Sequence, residues 1–266
     1  MSIKILTGWF REGGSSTAHI NLTNAFNKHG IDCTLYGIND NYFSKHCKSG
    51  KLHDMKLEED DHLIIHFFNT NWSKKPPING KFIYSCHEKD ICKMSSFPYQ
   101  IYDAIHYVSE PQRKWHNINH RSIVLPNIID ELKQSKCQNN KISGIIGNID
   151  INKQIHISIQ RALDDGMERV LLFGNISDQQ YYNNAVEPLI DGIKVLYMGH
   201  EDDKQKMYNS ISHVYHSSLS ETFGLVQKEC ELTRVEYHGS EATKDNFEQN
   251  MTNDEIINEW CKELEI

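Results

Sequence analysis

No apolar run in this 266-residue chain approaches the ~20 residues that a membrane-crossing helix requires. The opening Met1-Ser2-Ile3-Lys4 leads into an apolar strand, so no secretory leader is expected. Seven cysteines, at 33, 47, 86, 92, 137, 230 and 261, form no Cys-x-x-Cys pair. Reduced thiols in a cytoplasmic protein, free or peripheral at a membrane surface, are therefore expected in preference to disulfides or zinc. There are 15 histidines but no His-Glu-x-x-His, and no Asp-x-Asp stands on a loop after a strand; no metal site is expected. Internal repeats and low-complexity tracts are also missing. Lys and Arg form no dense stripe and the formal charge is −8, which counts against nucleic acid as a partner.

The charge is unevenly spread. Residues 1–135 hold 16 Lys/Arg against 14 Asp/Glu, the remainder 12 against 22, and ten of the histidines lie in the first half. A neutral-to-basic first half tolerates an anionic ligand there, although compositional drift explains the asymmetry equally well.

Strand-like and helix-like segments alternate throughout. Residues 3–7 read as an apolar strand and 8–16 as a loop. From Thr17 the apolar positions Ala18, Leu22, Ala25 and Phe26 repeat at helical spacing up to His29-Gly30. Strand-like runs follow at 32–36, 62–68, 81–86, 104–108 and 121–125, with Ser109 as a helix cap and 69–80 as a loop. The polar segment 131–141 reads as a linker. The pattern then restarts, with strands at 142–147, 169–173, 193–198, 211–216 and 234–238. Helices are expected at 153–165, 178–186, 202–209 and 222–232, and a last one over 254–264 has Ile256, Ile257, Trp260, Cys261 and Leu264 on one face. Such alternation argues for parallel sheets covered by helices. In that arrangement ligands gather at the C-terminal ends of the strands.

The most informative stretch is His216-Ser217-Ser218-Leu219-Ser220-Glu221-Thr222-Phe223-Gly224-Leu225-Val226-Gln227-Lys228-Glu229. Glu221 and Glu229, eight residues apart, bracket a Phe-Gly-Leu at an expected helix start. A helix N-terminus offers unpaired N–H groups to a phosphate, and flanking carboxylates can accept hydrogen bonds from sugar hydroxyls. Taken alone, such a stretch is in most chains an amphipathic helix capped by Ser217 or Ser220 with two solvated glutamates.

This segment resembles the signature of the family-4 retaining glycosyltransferases, Ser-x-x-x-Glu-x-Phe-Gly-Leu-x-x-x-Glu, carried here as Ser217, Glu221, Phe223, Gly224, Leu225 and Glu229. Leu125-Pro126-Asn127-Ile128-Ile129-Asp130 is similar to the family's interdomain Pro-Asn-Gly-x-Asp, with Ile128 in place of glycine. Gly147 to Lys153 resembles its Gly-Arg-x-x-x-x-Lys phosphate site, with Asn148 in place of arginine. Gly13-Gly14 resembles its N-terminal glycine loop, and the resemblance spans nearly the whole chain. The chain is shorter than typical members, and Cys230 to His238 lacks the family's glycine and proline after the second glutamate.

The resemblance implies an α/β GT-B fold, two doubly wound Rossmann-like domains facing one interdomain cleft. Their expected bounds are 1–130 on the acceptor side, a linker at 131–141, and 142–252 for the nucleotide sugar, with a helix at 253–266 crossing back to the first domain. It further implies metal-independent transfer of a sugar from a UDP- or GDP-linked donor to an acceptor hydroxyl, with retention and without a cofactor. The implied catalytic residues are His87, Lys153 and Glu221. Gly13, Gly14, Asn148, Lys153, Thr222, Phe223, Gly224, Leu225 and Glu229 are the implied donor contacts. With asparagine at 148 only Lys153 remains as diphosphate cation, unless Arg11 or the 13–16 backbone compensates. Trp72, Lys74 and Lys75, an aromatic ring beside two cations, are the expected acceptor contacts. A glycan or glycolipid ranks first as acceptor and a hydroxymethylated DNA base second. A non-catalytic nucleotide-sugar-binding protein and a GT-B epimerase remain as alternatives.

Overall fold

The computed structural model describes residues 1–8, 13–39, 41–66, 74–89, 97–241 and 251–266, which fall into two compact units. Unit 1 comprises Met1–Ile129 and Asn246–Ile266, and unit 2 comprises Asp130–Asp245.

Unit 1 is built on seven parallel strands: β1 Ile3–Thr7, β2 Cys33–Gly37, β3 Ser49–Lys51, β4 His62–His66, β5 Phe82–Cys86, β6 Ala104–Tyr107 and β7 Ser122–Val124. Their order is β3-β2-β1-β4-β5-β6-β7. β1, β4 and β5 are buried at every residue, as expected of parallel strands covered on both faces. Helix α1, Gly14–Lys28, and α2, Glu110–His116, connect strands, and Ser109 caps α2 by accepting from the Gln112 N–H. The C-terminal helix, Asn253–Leu264 and here called α7, starts from a Thr252/Glu255 capping box. It buries Ile256, Ile257, Trp260 and Leu264 against Ile3 and Ile5 of β1 and Phe26 of α1. The opposite sheet face buries Leu6, Leu63, Ile65, Phe82, Tyr84 and Tyr107.

Unit 2 repeats the plan with five parallel strands: β8 Ile142–Ile146, β9 Arg169–Phe173, β10 Val195–Gly199, β11 His213–Tyr215 and β12 Glu236–His238. Their order is β10-β9-β8-β11-β12. The helices are α3 Ile155–Asp164, the single turn α4 Gln179–Tyr181, α5 Lys204–Asn209 and α6 Leu225–Thr233. Segment 131–141, expected as a linker, lies on this unit. Ser135 donates from its N–H to the Thr233 carbonyl (2.8 Å) and from its hydroxyl to the Tyr208 carbonyl (2.7 Å).

In both sheets the strand order reverses direction at one point, between β1 and β4 and between β8 and β11. The crevice outside the carboxyl ends of such a pair is where doubly wound sheets bind ligands.

Candidate functional site

At the reversal point of unit 2 two loops meet: residues 147–154 after β8 and residues 216–224 after β11. They are tied by backbone and side chain. The Leu219 N–H donates to the Asn152 carbonyl (2.9 Å), and the Asn152 amide donates to the Ser220 carbonyl (3.2 Å). Across this clasp Lys153 Nζ pairs with Glu221 Oε1 at 2.5 Å. Lys153 is oriented by its own N–H, which donates to Asp150 Oδ1 (2.9 Å).

Glycine is required beneath the first loop. Gly174, with φ +146°, approaches Gly147 so closely that a Cβ there would stand 2.0 Å from the Gly147 carbonyl oxygen. Gly147, with φ +140°, runs under the Lys153 stem, and a Cβ on it would lie 3.6 Å from Lys153 Cε. The strand-end turns thus bring the lysine over the sheet edge.

Glu221 receives a second partner that the sequence reading passed over. His216 Nε2 lies 2.9 Å from Glu221 Oε1 and 2.6 Å from the Ser218 hydroxyl, and the Tyr237 hydroxyl lies 3.1 Å from its Nδ1. Burial alone would raise the Glu221 carboxyl, but the Lys153 charge and the His216 hydrogen bond more than reverse this and bring it down to about 2. Arg161, also unforeseen, reaches from α3 to the Ser217 hydroxyl (3.0 Å) and the Gly239 carbonyl (3.2 Å), bracing the same loop.

The helix of the signature starts later than its spacing suggested. α6 begins at Leu225, so Thr222, Phe223 and Gly224 precede it. The N-cap is Gly224 in the left-handed region (φ +69°), and no side chain caps the helix; Ser217 and Ser220 are therefore not its caps. Phe223 is buried, and the first N–H groups of α6 have no side-chain acceptor from the cap. Asn148, half-buried, sits beside Gly147 at the head of the lysine loop.

Glu229, one turn into α6, is 3% exposed. One of its oxygens takes Lys204 Nζ at 2.6 Å and the other the Tyr208 hydroxyl at 2.8 Å, while Lys204 also pairs with Asp130. Lys204 is held charged in spite of its burial by these two carboxylates. This triad escaped the sequence reading because its members stand 74 and 25 residues apart and carry no motif. A carboxylate has about four lone-pair directions, so Glu229 retains capacity for a further donor.

Unit 1 carries its own polar cluster at the reversal point between β1 and β4. His19 of α1, His66 at the end of β4 and His87 just after β5 hold their rings 4.6–5.0 Å apart. The hydrogen bonds fix the tautomers. The His106 Nε2–H donates to the Leu125 carbonyl (2.8 Å), so its Nδ1 accepts from the Ser85 hydroxyl (2.8 Å), which in turn accepts from the His87 Nε2–H (3.1 Å). The His66 Nε2–H donates to Glu88 (2.7 Å). Burial and the neighbouring histidines hold His19 and His87 well below the usual imidazole range, and burial brings His106 down to about 4. His19, His87 and His106 line a small cavity with Asn127 and Trp260.

Of the remaining expected residues, Gly13 and Gly14 form the cap and first residue of α1. Lys75 pairs with Asp103 at 2.7 Å and Lys74 is exposed. Trp72 and Arg11 lie outside the described residues.

No family model and no curated protein matches the sequence. Solved structures do match. HepE from Anabaena, in complex with UDP-glucose, is 16% identical over 91% of this chain and 81% of its own, with a TM-score of 0.68. A TarM variant from S. aureus, in complex with fondaparinux, α-GlcNAc-glycerol and UDP, is 11% identical over 97% and 92%, with a TM-score of 0.69. WaaG, a glycosyltransferase involved in lipopolysaccharide biosynthesis, is 10% identical over 99% and 90%, with a TM-score of 0.61. At these identities the shared property is the fold, and this chain has the GT-B fold of two parallel-sheet Rossmann-like units.

Proposed function

We propose that this protein is a retaining glycosyltransferase of the family-4 type, transferring a sugar from a UDP- or GDP-linked donor to an acceptor hydroxyl without a metal ion. The observation that carries the reading is the clasp of Lys153 and Glu221 at the reversal point of unit 2, where a doubly wound sheet binds its ligand. HepE, with a similar fold, binds UDP-glucose.

Departure of a nucleoside diphosphate leaves negative charge on the phosphates and positive charge on the sugar ring. Preorganised donors aimed at the leaving group contribute most in such a step. Lys153 supplies the cation, and the N-terminus of α6 supplies the dipole. Gly147 and Gly174 hold that loop close to the strand ends. Glu221 lies where it can accept hydrogen bonds from the transferred sugar once Lys153 turns to the diphosphate. Glu229, fixed by Lys204 and Tyr208, offers its remaining lone pairs to the ribose. Asn148, Thr222, Phe223, Gly224 and Leu225 are assigned to the donor between them.

On unit 1, His87, held neutral by burial and paired through Nε2 with the Ser85 hydroxyl, is assigned to the sugar at the reaction centre. Gly13 and Gly14 open α1 beside the same strand ends. Acceptor contacts are assigned to the loops following the unit 1 strands, with Trp72, Lys74 and Lys75. A glycan or glycolipid is the preferred acceptor class, and the net charge of −8 argues against DNA. The protein is expected to work in the cytoplasm.

The test is a product assay with a panel of UDP- and GDP-sugars. Transfer or slow donor hydrolysis, abolished in Lys153→Ala, supports the reading. Donor binding without any product would identify a nucleotide-sugar-binding protein instead.

A further inference from the structure

Strands β11 and β12 bring three metal-ligating side chains together. In their parallel register His213 opposes Glu236 and Tyr215 opposes His238, and residues two apart on a strand share a face. His213 Nδ1 stands 3.0 Å from His238 Nε2. Glu236 turns one carboxylate oxygen to each ring, at 3.5 Å from either nitrogen. Donor atoms bound at about 2.0–2.2 Å around a tetrahedral zinc ion are about 3.3–3.5 Å apart. The two nitrogens and the carboxylate thus stand close to that spacing, each ring facing its own oxygen of Glu236, and a small movement of the exposed carboxylate would bring one oxygen to a third corner.

Both rings are held by groups outside the trio. His213 donates its Nε2–H to the Asn140 carbonyl (3.0 Å), the outer-shell bond that leaves the other nitrogen as ligand. His238 lies flat on Tyr215, with centroids 4.4 Å apart and planes 6° apart, and the Tyr215 hydroxyl is anchored on Asp165 (2.8 Å). With its proton on Nε2, His213 turns a lone pair towards the Glu236 carboxylate. A cation placed between them would be shared by both acceptors. A simple hydrogen bond from His238 to His213 accounts for the 3.0 Å contact but not for the carboxylate that straddles both rings.

We infer that His213, Glu236 and His238 bind a divalent transition metal of the zinc type, which fastens the edge strand β12 to β11. Two imidazoles and one carboxylate suit Zn²⁺ or Co²⁺ far better than Mg²⁺ or Ca²⁺. His213 and His238 are partly buried and Glu236 is exposed, so the fourth position opens to water. The fastening bears indirectly on the clasp, since β12 also carries Tyr237, whose hydroxyl meets His216.

The untagged full chain, stripped with a chelator, is titrated with Zn²⁺ by calorimetry and with Co²⁺ by visible spectroscopy, and its melting temperature is recorded. The expected result is a site of micromolar or tighter affinity, d–d bands of a four- or five-coordinate Co²⁺, and a higher melting temperature with Zn²⁺ but not Mg²⁺. His238→Ala and Glu236→Gln should each weaken it at least tenfold. Glu236 is exposed, so its variant is expected to fold normally, and far-ultraviolet circular dichroism checks this. His156→Ala, at a distant histidine, should change nothing. Absence of binding overturns the inference. So does an affinity unchanged in both variants, which would move the metal to another group and leave the trio as a hydrogen-bonded cluster.

Discussion

The Lys153 ammonium and the Glu221 carboxylate, contributed by two different strand-end loops, pair at 2.5 Å, and His216 completes the group from the other side. A donor diphosphate has to draw Lys153 away from this partner. Lys153→Ala should therefore cost turnover far more than folding, with kcat/KM for the donor falling at least a hundredfold, as for loss of a preorganised charge on a leaving group. Steady-state kinetics with the best donor measures this, and an equal loss of melting temperature and activity would indicate a structural lysine.

The same pair makes a pH prediction. The Glu221 carboxyl is lowered from 4.5 to about 2, because the Lys153 charge and the His216 bond outweigh burial. Its stabilising contribution is complete above the unfolded value and is lost as pH falls from about 4.5 towards 2. It amounts to at most on the order of 3 kcal/mol. Denaturation midpoints across that window should fall more steeply for the wild type than for Glu221→Gln. Identical slopes would contradict the assignment.

A second pH window belongs to unit 1. His106 is lowered to about 4 and His19 and His87 well below 6.5, so the unfolded chain takes up protons first. Unit 1 should lose stability progressively as pH falls below 6.5. A His19→Gln/His106→Gln variant should flatten that slope, read by hydrogen exchange of β1 and β4 amides.

Glu229→Gln keeps the shape of the side chain but removes the charge that holds Lys204 and the Tyr208 hydroxyl. Nucleotide affinity should drop about ten- to hundredfold. Lys204→Met leaves Glu229 and Asp130 without their cation, and the cost in stability should be about 3 kcal/mol. Calorimetry and chemical denaturation separate the two effects.

Two glycines make an internal control. Gly174→Ala forces a Cβ to within 2.0 Å of the Gly147 carbonyl, whereas at Gly166 (φ +79°) nothing lies within 4 Å. Gly166→Ala should cost only about 1–2 kcal/mol of backbone strain. Gly174→Ala should cost more and should also weaken donor binding, because the lysine loop must move. Equal costs would mean that the loop gives way freely.

Much of the fold was legible because parallel strands buried on both faces read as apolar runs. Ile3–Thr7 and Arg169–Phe173 coincide with their expected bounds. β3, Ser-Gly-Lys, was missed because an edge strand of three small or polar residues has no apolar signal. α1 starts at Gly14 instead of Thr17, since Gly-Ser-Ser reads as loop while the backbone already turns. The expected helix over 178–186 keeps one α turn and then widens, with Pro188 closing the segment in a tighter turn. Lys153, Glu221 and Glu229 stood out by motif. Lys204, His216 and the trio His213, Glu236 and His238 did not, because their partners converge only through strand order and register.

The central claim is that unit 2 holds a nucleotide sugar at the Lys153–Glu221 clasp. The most direct measurement is calorimetric titration of UDP and GDP into the wild type, Lys153→Ala and Glu229→Gln at neutral pH with chelator present. The account predicts saturable binding of one nucleotide by the wild type, at least tenfold weaker binding in each variant, and no requirement for metal. Binding that both variants retain unchanged, or no binding of either nucleotide, would contradict it.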